Sequence, residues 1–220
     1  MSPSSYNKPE PPSRHHVSLP QEELERLILE RRTSKPSWFD EREPDHAAVR
    51  RAIDVARQAP NHHRTEPARF YLLDRERIKE VGRLFGETVA GENPNDLLRE
   101  RAAKKNKEWG SSPGLLVLTC YTDHASELVA NKPAVIEEDY ATCACICQNL
   151  SLLLHNQGIA SKWSTGPVWE HPRFRQVVGI PHPPPDERVV ALLFYGLTNQ
   201  TPPPRPFTPL EEHLQDYASP

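Results

Sequence analysis

Apolar positions recur along the chain with two periods, and the changes of period mark out its elements. Beyond Pro20, Leu24, Leu27 and Ile28 stand three and four residues apart on one stripe, which predicts a helix. Pro36 stops it just after a basic run. Asp45 is placed to cap a second helix with the apolar stripe Val49, Ala52, Ile53 and Ala56, and Pro60 closes it. Phe70–Leu73 reads as a short buried strand, followed by Asp74 as the cap of a third helix carrying Ile78, Val81 and Phe85. Leu115–Cys120 and Val189–Tyr195 are apolar at successive positions, the pattern of strands covered on both faces.

The longest helical segment covers about residues 137–157. Tyr140, Ala144, Cys147, Ser151 and Leu154 follow one stripe, and Ala141, Cys145, Ile146, Leu150, Leu152 and Leu153 make the other faces apolar as well. A helix apolar nearly all round belongs at the centre of a domain or between subunits. Gly158 ends it, and Ile159–Trp163 leads into the polar turn Ser164-Thr165-Gly166-Pro167. His171-Pro172 opens a short helix that ends at Gly179. Residues 86–112, polar and mixed in sign, have two readings: a helical excursion over a pocket, or a surface insertion.

The ends differ from the middle. Residues 1–19, rich in Ser, Pro and His, read as a flexible N-terminal arm, with one domain over 20–214. Within it, 197–214 reads as a C-terminal extension that docks on a partner: Thr201–Pro206 must be extended, and Thr208-Pro-Leu-Glu211 fits a capping box.

Composition narrows the classes. A chain of 220 residues fits one domain with tails. Its net charge of -3 argues against a nucleic-acid or membrane surface. No apolar run approaches the roughly 20 residues of a bilayer span, and Met1–Leu19 lacks the apolar core of a signal peptide. Of the four cysteines, Cys143, Cys145 and Cys147 stand at alternate positions with no second pair for zinc, and read as structural thiols. Nothing asks for an oxidising compartment, so the expected location is cytoplasmic. Neither common glycine-rich phosphate loop is present, nor H-E-x-x-H or G-x-S-x-G. A phosphate-bearing ligand would have to be held by side chains.

Three polar islands stand out: Arg31-Arg32-Thr33-Ser34-Lys35, then Ala59–Pro67, then Trp163-Ser164-Thr165-Gly166. Guanidinium forks and small hydroxyls are what phosphate recognition needs, although such a basic run alone also suits a solvated helix end. Adjacent His62 and His63 in a strand-like loop point opposite ways, which argues against one shared ion. Trp163 reads equally as core or as site edge. Lys104, Lys105, Arg99 and Arg101 suit a solvated helix face better than a nicotinamide phosphate site.

In this order the islands resemble the nitroreductase family of FMN-dependent oxidoreductases. The family's R-R-S/T-x-R/K run corresponds to Arg31–Lys35, and its A-P loop entering a strand to Ala59–Phe70. Its G-x-x-x-x-W-x-[ST]-G turn corresponds to Gly158–Gly166, and its late arginine to Arg205. The resemblance spans about residues 21–214. It implies an α+β fold with a central mixed or antiparallel sheet flanked by helices, as an intertwined homodimer with the long helix in the interface. It implies FMN as cofactor, NAD(P)H as donor, and a small-molecule acceptor such as a nitroaromatic or quinone, reduced by a two-step ping-pong cycle through flavin N5. The flavin contacts it implies are Arg31, Arg32, Thr33, Lys35 and Arg205 at the phosphate and ring edge. Asn61, His62 and Arg64 would line the ribityl chain and dimethylbenzene side, with Trp163, Ser164, Thr165 and Gly166 by N5 and O4. No catalytic side chain and no metal ligand is implied.

The chain departs from the family pattern at three places. Gln-Pro-Trp is Glu66-Pro67-Ala68, the residue at 64 is arginine, and Ser164 stands where some relatives have arginine. These departures motivate an alternative, a flavin-binding or flavin-sequestering protein with little reductase turnover. A third reading, an interaction module acting through its Pro-rich ends, belongs to a different class.

Overall fold

The expected helices and strands form, and their connectivity places them in layers. A computed structural model describes residues 20–218; the arm expected over 1–19 lies outside the described residues. Asp45 caps α2 (His46–Ala56) by accepting from the Ala47 amide at 2.9 Å, and Val49, Ala52, Ile53 and Ala56 are all buried. Asp74 caps α3 (Arg75–Ala90) through the Arg77 amide at 2.9 Å. The helix expected after Pro20 is α1 (Gln21–Glu30), none of whose residues is buried.

Four strands make one sheet: β1 (Ala68–Leu72), β2 (Gly114–Tyr121), β3 (Ala160–Ser164) and β4 (Glu187–Gly196). The order across the sheet is β1-β2-β4-β3, every neighbouring pair antiparallel. A parallel bridge joins Thr33 to Ser161 outside the β3 edge. β2 shows why its sequence is apolar throughout. Leu116 and Leu118 pack with α2 and with the long helix α6 (Val135–Asn156), while Leu115 and Val117 face the opposite core with α3 and α7 (Phe174–Val178). Each such side chain moved from water into a core contributes about 1.5–3 kcal/mol.

Residues 86–112 comprise the end of α3 and a second helix packed on it. After α3 ends, α4 (Asp96–Gly110) runs back along it. The approach is close: a Cβ on Gly82 would lie 2.5 Å from the Gly110 nitrogen. Trp109 is buried, stacked on Phe85 at 3.8 Å between centroids and tilted against Phe194 at 4.7 Å. One tryptophan thus anchors a helix whose other positions are mostly polar, which is why period alone did not place it. Beyond β2, α5 (Glu127–Asn131) is a five-residue helix capped by Ser126.

One local expectation fails. The stretch after Thr208 is a single turn, Leu210–Glu212, without a side-chain cap, because the Thr208 hydroxyl pairs with His213 Nε2 instead. The long helix is not covered all round: Cys143 and Cys147 are buried, but Ala141, Cys145 and Gln148 are exposed along one side. Burial pushes the Cys147 thiol up to about 12, so it is a packed group and not a nucleophile. Among the described residues, no helix is long and apolar enough to cross a membrane.

Candidate functional site

The sequence-predicted site residues fall into two groups at opposite edges of the sheet. The first group lies beside β3. The Ser34 amide donates to the Ser161 carbonyl at 3.0 Å, which fixes the basic run against that strand. Arg31, Arg32 and Arg205 come close enough to repel one another. The Arg31 guanidinium is lowered from its ordinary value by burial first, then by Arg32, then by Arg205. No carboxylate among the described residues pairs with any of the three. Arg32 donates one bond, from Nη1 to the Arg31 carbonyl at 2.9 Å, and leaves its Nε buried without a partner.

The polar turn belongs to the same group. Ser164 is buried and its hydroxyl has no partner, while Thr165 is exposed beside it. Trp163 is exposed, its indole N–H donating to the Val190 carbonyl at 3.2 Å, so it stands at the site edge and not inside the core. Gly166 faces Trp109, whose ring lies 3.7 Å from where a Cβ would be. Lys35 stands over the Trp38 ring at 5.6 Å. Burial lowers the Lys162 ammonium, Glu108 opposes that shift, and Lys105 and Lys35 add to it. Lys105 is half-buried and ion-paired to Glu108 at 2.7 Å, while Arg99, Arg101 and Lys104 are exposed.

The second group enters β1. His62–Arg64 form one tight turn, and His63, Arg64 and Glu66 all have left-handed backbone, with φ of 56, 54 and 47°. For residues with a Cβ each such angle costs on the order of 1 kcal/mol, so the surroundings must impose it. What imposes it is a buried carboxylate. Asp139, in the first turns of α6, accepts from the Thr65 hydroxyl and from the Thr122 hydroxyl, the latter at 2.7 Å. Thr65 also bonds Asn61 Oδ1 through its amide at 3.2 Å and its hydroxyl at 3.1 Å. The Pro60 carbonyl accepts from Thr142 at 3.0 Å.

The turn corrects one expectation. His62 and His63 do not point opposite ways: left-handed backbone at His63 stacks the rings, with centroids 4.0 Å apart and planes at 26°. His62 Nδ1 lies 2.9 Å from Glu138 Oε2, and His63 Nε2 lies 3.8 Å from it. Both rings thus face one carboxylate oxygen, and one ligand atom from each of His62, His63 and Glu138 lies within 4.8 Å of the others. Glu66 neither pairs with Arg64 nor turns inward: its exposed carboxylate lies 3.7 Å from Arg57. Asp139 escaped the sequence reading because an acid in a helix's first turn suits the dipole. The signal was a carboxylate on the buried stripe of an apolar helix.

The two groups are far apart in one chain. Three strand spacings separate β1 from β3, about 14 Å. The loop meets α6 at Asp139 and Thr142, and β3 follows the helix's end, about 21–26 Å further along. The first group satisfies a test for a phosphate-bearing aromatic ligand, since it offers clustered unpaired guanidiniums and two buried polar groups, Arg32 Nε and Ser164 Oγ, that lack partners.

Comparisons with known proteins agree with this architecture. The chain is 26% identical over 194 residues, 88% of its length and 93% of the relative's, to "Putative NAD(P)H nitroreductase YfhC" of Bacillus subtilis (strain 168). Its fold is similar to that of a nitroreductase-like family protein from Bacillus cereus, with TM-score 0.70 and 20% identity over 99% of this chain and 100% of that one. It is also similar to a nitroreductase with bound FMN from Desulfitobacterium hafniense DCB-2, with TM-score 0.63 and 19% identity over 90% and 99%. The family model for nitroreductases matches residues 28–197. That match covers most of the chain and includes the basic run, the strained loop and the polar turn, and it establishes that the chain belongs to the nitroreductase family.

Proposed function

We propose that the protein is an FMN-dependent oxidoreductase that uses NAD(P)H to reduce a nitroaromatic or quinone-type acceptor. The observation that carries this reading is the cluster of Arg31, Arg32 and Arg205 without an anionic partner, with Arg32 Nε buried and unpartnered within it and Ser164 Oγ buried and unpartnered on the adjoining strand. The cofactor is inferred from the FMN-bound Desulfitobacterium structure, and the donor from the name of the Bacillus subtilis relative. Arg31, Arg32 and Arg205 would hold the phosphate through charge-assisted hydrogen bonds, each contributing about 1.5–3 kcal/mol. Thr33, Ser164, Thr165 and Gly166 would set the plane of the ring, with Trp163 closing the edge. Lys35 would place a positive charge beside the ring, which favours its reduced, anionic form. When bound, FMN supplies the hydride chemistry, so the chain has to bind, orient and exclude water.

Asn61, His62 and Arg64 would reach the cofactor only from a second copy of the chain, because the first group lies at the other edge of the sheet. We therefore propose a homodimer packed through the outward stripe Ala141, Cys145 and Gln148 of α6. The functional domain would cover 20–214, with 197–214 reaching the partner.

The test is spectroscopic, then genetic. The protein incubated with FMN turns yellow and bleaches anaerobically with NADPH or NADH; a colourless protein overturns the reading. Arg31→Ala and Asn61→Ala chains are each inactive alone, but mixing them with subunit exchange restores up to about a quarter of wild-type activity, since half of the mixed dimers' sites are intact. No recovery on mixing refutes the shared site.

A further inference from the structure

The second group carries more positive charge than a flavin contact requires, and it surrounds a cavity. The cavity has a volume of about 530 Å3 and opens between β1, the end of α2 and α6; small-molecule sites run from about 300 to 1,000 Å3. Arg57, Arg64 and Arg69 line it, Phe70 and Ile146 form an apolar wall, and Ala68 contributes to the floor. Ala68 and Phe70 are two residues apart on β1 and pack toward the same core. A tryptophan stands at this place in the Q-P-W-x-F pattern of the family. A larger side chain at Ala68 would fill part of the space, so alanine here keeps it open.

The three guanidiniums are not equivalent. Arg69 is committed: it donates to the Glu66 carbonyl at 2.8 Å and the Ala68 carbonyl at 3.1 Å, and lies over the Tyr121 ring at 5.1 Å. Arg57 is held loosely, 3.5 Å from Asp54 and 3.7 Å from Glu66, both well exposed. Arg64 has no side-chain partner among the described residues, yet the Asp139–Thr65–Asn61 lock flanks its left-handed backbone. Strain maintained to present an unpaired cation marks a ligand clamp. Against the three, the only acid among the described residues that line the cavity is Glu66, whose carboxylate is mostly in solvent.

We propose that this cavity is a subsite for an anionic aromatic acceptor of the benzoate type. Its carboxylate meets Arg64 and Arg57, and its ring rests on Phe70 and Ile146 in the space that Ala68 leaves open. Guanidinium forks match a carboxylate in two-point geometry, whereas a neutral amide of the same shape gains neither charge nor fork. The assignment rests on the oxidoreductase reading for the word acceptor, and on the cavity alone for the binding.

Calorimetric titration of 4-nitrobenzoate and of 4-nitrobenzamide, into protein with and without FMN, tests it. The anion binds at least about tenfold more tightly than the amide, the factor expected of one charge-assisted bond. Ala68→Trp weakens 4-nitrobenzoate about tenfold and leaves the flavin spectrum and FMN affinity unchanged. Arg57→Gln, at an exposed side chain, weakens the anion about fivefold and leaves the amide alone. Equal affinity for the two compounds overturns the proposal, as does an Ala68→Trp protein that binds 4-nitrobenzoate as before. If Ala68→Trp does not fold, Arg57→Gln decides, and its failure to separate anion from amide is the refuting result. A protein that binds 4-nitrobenzoate but no FMN keeps the subsite and loses the oxidoreductase; one that binds FMN but discriminates neither compound does the reverse.

Discussion

At the β3 edge the cations stand on backbone without left-handed positions, tied to the sheet by one bridge and one amide bond from Ser34 to Ser161. At the β1 edge the polar residues stand on a turn with three left-handed positions, tied to the rest of the chain by side chains. The first arrangement needs no strained backbone, and burial, then Arg32 and Arg205, disfavour the charge on Arg31. The second costs backbone strain to form and depends on one buried carboxylate, Asp139. An electrostatic site can thus be laid down by a short run of sequence, whereas a conformational one needs a partner element to hold it.

Separating the two regions has the largest expected effect. Cys145→Arg puts a charge on the exposed stripe of α6 without touching either group. The expected result is a monomer by sedimentation with FMN affinity reduced more than about 100-fold, equivalent to about 2.7 kcal/mol. A monomer that keeps its affinity would mean that the β3 edge is sufficient alone. Loosening only the β1 side comes next. Asp139→Asn removes charge from the bonds that Thr65 and Thr122 donate, and the expected loss is about 1–3 kcal/mol in urea unfolding. Inorganic phosphate binding at the arginine cluster should be unchanged, and a parallel fall there would erase the distinction between the two regions.

The smallest effect is expected from His63→Gly. Glycine relieves the left-handed strain at φ 56° but adds chain entropy to the unfolded state, so stability should move by less than about 1 kcal/mol. Acceptor KM should still rise a few-fold, because a freer loop presents Arg64 less well. A large loss of stability instead would show that the stacked His62–His63 pair and its bond to Glu138, and not the backbone, hold the turn.

Much of this architecture was legible beforehand, and residue by residue the reason is locality. Asp45 and Asp74 cap the helices that follow them because an Asx side chain reaches only two or three residues along its own chain. β2 and β4 are buried on both faces along Leu115–Leu118 and Val190–Phe194, where every side chain is apolar. The α4 region was unreadable for the opposite reason: its place depends on Trp109 meeting Phe85 and Phe194, residues from two other elements. The resemblance named the site residues, and no local period divides them into two groups.

The sequence by itself therefore determined α2 and α3 with their aspartate caps, the double-sided strands and the cationic run, each set by residues within a turn or two of one another. Tertiary structure alone decided that Arg31 and Arg64 lie at opposite sheet edges, because strand order is a property of the whole chain. It also decided that Asp139 would reach across 74 residues to fix the Thr65 loop. And it turned the small side chain of Ala68 into an open cavity, because an alanine leaves space only where its neighbours decline to fill it.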